Sequence, residues 1–324
     1  IMRIAAVLPP GVAFRPRETY TTHMNRPYFR CIGRGNAIAG LCLALALLAC
    51  PSQARHGAPP VSFGKALLLP AEALDTVQTP PIDREALLAE DAAAGPGKPG
   101  RFASPHADLI TPWTHGTWES LPDGGQLWRL NIVSPGATDI NLGFARYAMP
   151  PGATLHVHAG DYYQGPYDHR DNKPHGQFWS PVVPGDSAVV EVYLGPETTG
   201  MPELELTRIN RGYRDFFQLV AEKQQFCNND VICPQANPYR DQVRSVGVYT
   251  LEGFFTCSGQ MIRDVPATYR NFFLTAAHCG ITPGNAATLV VYWNYESPAC
   301  GALCCGSLLQ NQGGATFRAA NSIN

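Results

Sequence analysis

The sequence predicts an all-β chain, with a β-sandwich-like domain followed by a second, cysteine-dense β domain. Three observations carry this. Gly and Pro are abundant (31 and 29 of 324 residues) and only 15% of residues are charged, a composition that favours turns over long helices. Short runs of strand-forming residues recur between turn signals. Cysteines are absent between Cys50 and Cys227, and seven follow, which marks a boundary near residue 223. The length admits two domains, and an apolar content of 45% supports real cores. A formal net charge of −2 gives no electrostatic case for nucleic acid.

The chain opens on a leader, residues 1–54, whose start is read at Met24 with residues 1–23 as an over-extended frame. Arg26, Arg30 and Arg34 make a positive flank, and residues 37–49 make an apolar core too short for a stable membrane span. Ser52-Gln53-Ala54 suits cleavage by a signal peptidase after Ala54, which implies a secreted protein. Leu47-Leu48-Ala49-Cys50 resembles a lipoprotein box, and lipidation of Cys50 ranks second. Residues 55–112 are expected to be a low-order segment and linker, helical only at Asp83–Ala94 and ending in the Gly/Pro-rich spacer 95–100.

Residues 113–223 read as the β-sandwich-like domain. Its candidate strands are Gln126–Val133, Ile140–Ala148, Thr154–Ala159, Ala188–Leu194 and Glu203–Arg211. Turns at Pro122-Asp123-Gly124-Gly125 and Pro150-Pro151-Gly152 separate them. Trp113, Trp118, Trp128 and Trp179 suit either core packing or a sugar platform, core being the commoner fate. His156 and His158 alternate on one strand and so share a face. With His169, His175, Asp168 and Asp171 they sketch a metal site, but a solvated polar face is the commoner origin of such a pattern, and no metal is assigned. Gly185-Asp186-Ser187 imitates a nucleophile loop; it lacks the following glycine and reads as a turn entering a strand.

Residues 224–324 carry the chemistry. Thr275-Ala276-Ala277-His278-Cys279-Gly280 follows an apolar run, and Phe255-Thr256-Cys257-Ser258-Gly259 lies just upstream. A serine hydroxyl needs an imidazole to take its proton, and that imidazole must be held in place. Cys257 and Cys279 stand 22 positions apart with an apolar strand beside each, so a disulfide between them would anchor the histidine turn. Ser258, beside that bond, is given a structural role.

The hexapeptide around His278 resembles the general-base segment of the chymotrypsin-like serine proteases. Cys227-Asn228-Asn229-Asp230-Val231-Ile232-Cys233-Pro234 and Val290-Val291-Tyr292-Trp293-Asn294-Tyr295 narrow the likeness to the bacterial lysyl endopeptidases. The resemblance covers about residues 224–324, with a weaker likeness of 113–215 to pro-regions of secreted bacterial proteases. It implies the first part of a chymotrypsin-like double β-barrel, with His278 as general base. It pairs Cys257 with Cys279, Cys233 with Cys300, and Cys227 with a cysteine beyond Asn324. Cys304 and Cys305 depart from the pattern. The orienting Asp, the nucleophilic Ser and the lysine pocket are also expected beyond Asn324, so this chain alone is expected to be inactive.

The implied substrates are polypeptides, with no cofactor, and the sandwich is implied to act as a pro-domain on its own protease domain. Lys223 is the last of four lysines and stands just before Cys227, which suits self-processing after Lys223 by a lysine-selective enzyme. The alternative from another class is a secreted, non-catalytic adhesin or ligand-binding sandwich with a degenerate protease-like tail.

Overall fold

The computed structural model describes residues 2–4, 57–65, 68–94, 100–217, 229–266, 270–302 and 306–321. Ala54, Cys50, Lys223, Cys227, Cys304 and Cys305 lie outside them.

The strands in chain order begin with β1 (Met2–Ile4), β2 (Thr76–Gln78), β3 (Gly100–Arg101) and β4 (Ala103–Ile110). Helix α1 (Arg84–Ala94) precedes β3, and the Asp83 side chain accepts the Ala86 amide at 3.0 Å as its cap. Then come β5 (Thr117–Ser120), β6 (Gln126–Val133), β7 (Asp139–Ala148), β8 (Ala153–Ala159) and β9 (Tyr162–Tyr167). The first half closes with β10 (Phe178–Trp179), β11 (Val183–Pro184), β12 (Ser187–Leu194) and β13 (Glu203–Gly212). The second half holds β14 (Val246–Leu251), β15 (Phe255–Ile262) and β16 (Phe272–Thr275). It ends with β17 (Val290–Trp293), β18 (Asn311–Gly313) and β19 (Ala315–Phe317).

Two sheets of the first half face each other. One runs β2-β6-β12-β8-β9 with β5 beside β6, and the other runs β10-β7-β13-β4 with β11 beside β7. Period-2 alternation puts Trp128, Leu130 and Ile132 of β6 and Val190 and Val192 of β12 on the inner face. They meet Ile140, Leu142 and Phe144 of β7 and Leu204, Leu206 and Ile209 of β13 in one core. The all-β sandwich is therefore present, and all five predicted strands form in it to within a residue at either end.

Residues 55–112 depart from the expected low-order segment. β4 pairs with β13 from Ala103 to Ile110, and β2 adds to β6. Residues 57–65 and 68–69 strap the outer face of the first sheet. Glu191, fully buried there, accepts the Ser62 amide at 3.3 Å, and the Ala58 carbonyl meets His156 Nε2 at 3.0 Å. Arg129 bonds the Leu69 carbonyl at 2.8 Å and pairs with Glu119. The Phe63 ring meets His158 edge-on at 5.0 Å. His156 and His158 are thus buried rather than solvated: the strap supplies the cover that strand periodicity cannot reveal. Trp128 enters the core as expected, whereas Trp113 is 70% exposed in a turn.

Burial, with the nearby His156 and Arg129, pushes the His158 imidazole down to about 4. The folded state therefore prefers neutral His158. Its contribution is intact above the ordinary value near 6.5 and is lost as pH falls from there toward 4, because the unfolded chain takes the proton first. The expected cost at pH 4 is about 3 kcal/mol. Urea midpoints of the whole chain should fall between pH 7 and pH 4.5, and His158→Leu should flatten that slope. An unchanged slope would remove His158 as its source.

The second half forms one open sheet among the described residues, in the order β18-β17-β14-β15-β16-β1-β19, with β3 added at β15. Tyr249, Leu251, Phe273, Leu289 and Val291 build its core. A further apolar cluster joins it to the sandwich through Phe102, Val182, Phe216, Val290, Tyr292 and Leu308. The outer face of the second sandwich sheet grips the β14–β15 turn. Asn141 donates to the Gly253 carbonyl at 2.8 Å, and Asn210 donates to Asn141 at 3.0 Å. Gly253 has φ +75° and sits so close that a Cβ would collide with both amides.

Candidate active site

The site is built by β15, β16 and the turn that follows. β14 pairs with β15 from Val246 to Leu251, and β16 pairs with β15 from Gly259↔Thr275 to Ile262↔Phe272. Phe273 is fully buried and fixes β16 to the core. Its edge-on contacts with Tyr249 and Trp293, at 5.7 and 5.8 Å, lock the strand sideways.

A hydroxyl relay sets the end of β16. Thr275 donates to the Ser258 carbonyl at 2.8 Å, and Tyr249 meets the Thr275 hydroxyl at 2.9 Å. Burial pushes the Tyr249 phenol up to about 12, so it keeps its proton at neutral pH. With the Thr275 proton committed to Ser258, Tyr249 donates to Thr275. The backbone then leaves the sheet in a single 3-10 turn, Ala277–Cys279, capped by Gly280 at φ +74°. The Asn285 side chain holds the turn from outside, donating to the Gly280 carbonyl at 3.1 Å.

His278 sits in the middle of this turn and is exposed, while the next residue, Cys279, is buried. Cys279 bonds Cys257 on β15 with Cα atoms 6.2 Å apart. The turn is therefore tied to the neighbouring strand one residue from the imidazole. A second disulfide, Cys233–Cys300, ties the start of this half to the segment after β17. The ligand atoms of Cys257, His278 and Cys279 lie within 4.8 Å of one another, but both sulfurs are committed to the disulfide. Beside the turn opens a cleft of about 410 Å³, walled by Ser258, Gly259, Gln260, Leu274, Thr275 and Ala276.

Among the described residues, no hydrogen bond or ion pair reaches the His278 ring. Ser258 is exposed on the cleft wall, and its carbonyl, rather than its hydroxyl, carries the contact to β16. Ser187 is exposed where β12 begins, paired with Val133 in the sandwich, well removed from His278 in the fold. What sequence reasoning missed is the Tyr249–Thr275–Ser258 relay. Its only trace in the sequence is a tyrosine within an apolar strand, which periodicity reads as core.

Comparison with known proteins matches both halves of the chain. The family model for the lysyl endopeptidase C-terminal domain matches residues 221–324, and the model for the lysyl endopeptidase N-terminal domain matches residues 111–207. A lysyl endopeptidase of Pseudomonas aeruginosa is 27% identical over 305 residues, covering 80% of this chain and 64% of that protein. The chain thus spans just under two thirds of that relative's length. With both halves of the family matched in order along an all-β chain, this is a lysyl endopeptidase-like protein.

Proposed function

We propose that the chain belongs to the precursor of a secreted serine endopeptidase in which His278 is the general base. The observation that carries the reading is an exposed imidazole one residue from a disulfide that ties its turn to the neighbouring strand. General-base catalysis needs a fixed imidazole whose ring stays available to an incoming hydroxyl. The reaction is peptide-bond hydrolysis through an acyl-enzyme. The serine Oγ attacks the carbonyl carbon as its proton passes to His278, which returns that proton to the leaving amine; water then repeats the cycle on the ester.

Under the same reading, cleavage follows lysine, in keeping with the family's name. Residues 113–223 are the pro-region, 224–324 the start of the protease, and the leader ends at Ala54. Among the described residues no helix is long and apolar enough to cross a membrane. The polypeptide that first meets the site is the precursor itself, cut after Lys223. N-terminal sequencing of the protein secreted from the whole locus should find Gln224 as the first residue, and Lys223→Gln should abolish that terminus. An unchanged terminus in the variant, or one far from Gln224, overturns self-processing at Lys223.

A further inference from the structure

The strap over the outer face of the first sandwich sheet is held by its main chain. The Gly57 amide donates to the Gly165 carbonyl at 3.0 Å, and the Gly57 carbonyl accepts the Tyr163 hydroxyl at 3.0 Å. The Ala58 carbonyl accepts from His156 Nε2 at 3.0 Å. Both carboxylate oxygens of Glu191 accept the Ser62 amide at 3.3 Å, and the Val61 amide reaches the same carboxylate. Side-chain choice falls at two positions. A Cβ on Gly57 would stand 2.5 Å from the Pro166 ring. The Phe63 ring sits edge-on to His158 at 5.0 Å and to Tyr163 at 5.9 Å. Main-chain hydrogen bonds for affinity and a few side-chain positions for choice are the pattern of a peptide-recognition site.

The floor of this site is built for neutral rings. His156 and His158 of β8 are buried beneath the strap. His156 spends its ring proton on Ala58, and His158 spends its own on the main chain of Gly160. The other two nitrogens, His156 Nδ1 and His158 Nε2, are buried with no hydrogen-bond partner among the described residues. A second proton on either ring would find no acceptor. Glu191 of β12 stands opposite His156, and Arg129 of β6 stands opposite Glu191 and pairs with Glu119 of β5. Tyr163 of β9 stands opposite His158, and the strap adds Lys65, which is exposed. Burial holds both imidazoles below their ordinary value, with His158 at about 4. It raises the Glu191 carboxyl, which therefore takes its proton more readily under the strap and opposes the histidines.

We propose that this outer face is a peptide-binding site, that residues 57–65 are its resident ligand, and that acid releases them. The ligand class is a peptide with glycine six residues before phenylalanine, the spacing of Gly57 and Phe63. Two imidazoles act against one carboxyl, so the sign follows the imidazoles. The covered face prefers neutral rings, the open face takes protons first, and the strap is lost as pH falls from about 6.5 toward 4. At neutral pH the strap, tethered to the same chain, holds the site against free peptides. Weakening the strap lets a free peptide of the same pattern take its place. The site lies on the sandwich and stands apart from the endopeptidase reading.

The test uses the full-length precursor with His278→Ala, so that no probe is cut. The first measurement needs no further variant. Hydrogen exchange followed by mass, corrected for intrinsic rates, should show residues 57–65 losing protection about tenfold between pH 7.5 and pH 5 while β12 keeps its own. Loss in both together, or in neither, overturns the acid release. The second measurement adds Gly57→Val, which drives the strap against Pro166, and titrates a fluorescent, end-capped peptide of residues 57–65. The variant should bind this peptide saturably and at least tenfold more tightly than the precursor with Gly57 in place. The same peptide carrying Gly57→Val or Phe63→Ala should bind at least tenfold more weakly. Lowering the pH from 7.5 to 5 should weaken binding about tenfold, and His158→Leu should remove most of that dependence. Equal binding of the three peptides, or no binding by the Gly57→Val variant, overturns the peptide site. Binding that is unmoved by pH leaves the site without its acid release and overturns that part of the inference.

Discussion

Replacing His278 with alanine is expected to lower kcat of the processed enzyme on the order of 10⁶-fold, with KM changed only a few-fold. Under the proposed mechanism the imidazole carries the proton in both halves of the acyl-enzyme cycle, and no other described group stands ready to replace it. The fold should survive the substitution. The side chain is exposed, and Cys279 and Gly280 hold the turn without it. Two readouts check this on material from the whole locus. Steady-state kinetics on a lysyl amide should show the loss in kcat. The His278→Ala precursor should also accumulate uncut at Lys223 unless active enzyme is added. Activity within tenfold of the parent would remove His278 from the mechanism.

Removing the Cys257–Cys279 disulfide by a double change to alanine is expected to cost about 3 kcal/mol of stability, the scale for a closed loop of this size. It should also lower kcat more than KM at a temperature where the protein remains folded. The bond spans 22 positions and closes the loop that carries β16 and the His278 turn. Without it the turn keeps the Thr275–Ser258 and Asn285–Gly280 hydrogen bonds, but it loses its only covalent tie to β15 among the described residues. A base that wanders by an ångström costs rate well before the protein unfolds. Urea unfolding combined with kinetics at low temperature separates the two effects. A double variant that loses stability with kcat intact would make the bond a staple of the fold and nothing more.

Much of this was legible without coordinates. The five strands of the sandwich form where alternation and turn residues placed them, because a half-buried strand must alternate and a tight turn must use Gly, Pro, Asn or Asp. The helix at Asp83–Ala94 was equally readable from its cap and composition. The His278 segment stood out because its cysteine, glycine and small residues serve a strand end, a disulfide and a left-handed cap at successive positions. Strands β4 and β9 were not legible. β4 holds Pro105, His106 and Asp108 along an edge, and β9 holds Gly165 and Pro166, which read as breakers.

The sequence by itself determined the all-β class and the inward faces of the sandwich, and it singled out the histidine proposed as base. Each depends on local pattern: a period of two, a turn, a cysteine next to a histidine. Tertiary structure alone decided what covers each outward face. Periodicity tells which side chains share a face and is silent about what lies on it. His156 and His158 read as a solvated face in sequence; they and Glu191 are buried where residues 57–65 cross over them. Asn141 and Asn210, on the outward face of their strands, hold the β14–β15 turn. Gly100 reads as the end of a spacer, yet with Arg101 it completes the edge of β15. In each case a distant segment supplies main-chain hydrogen bonds that no local rule can place, because the partner is chosen by where the chain returns in space.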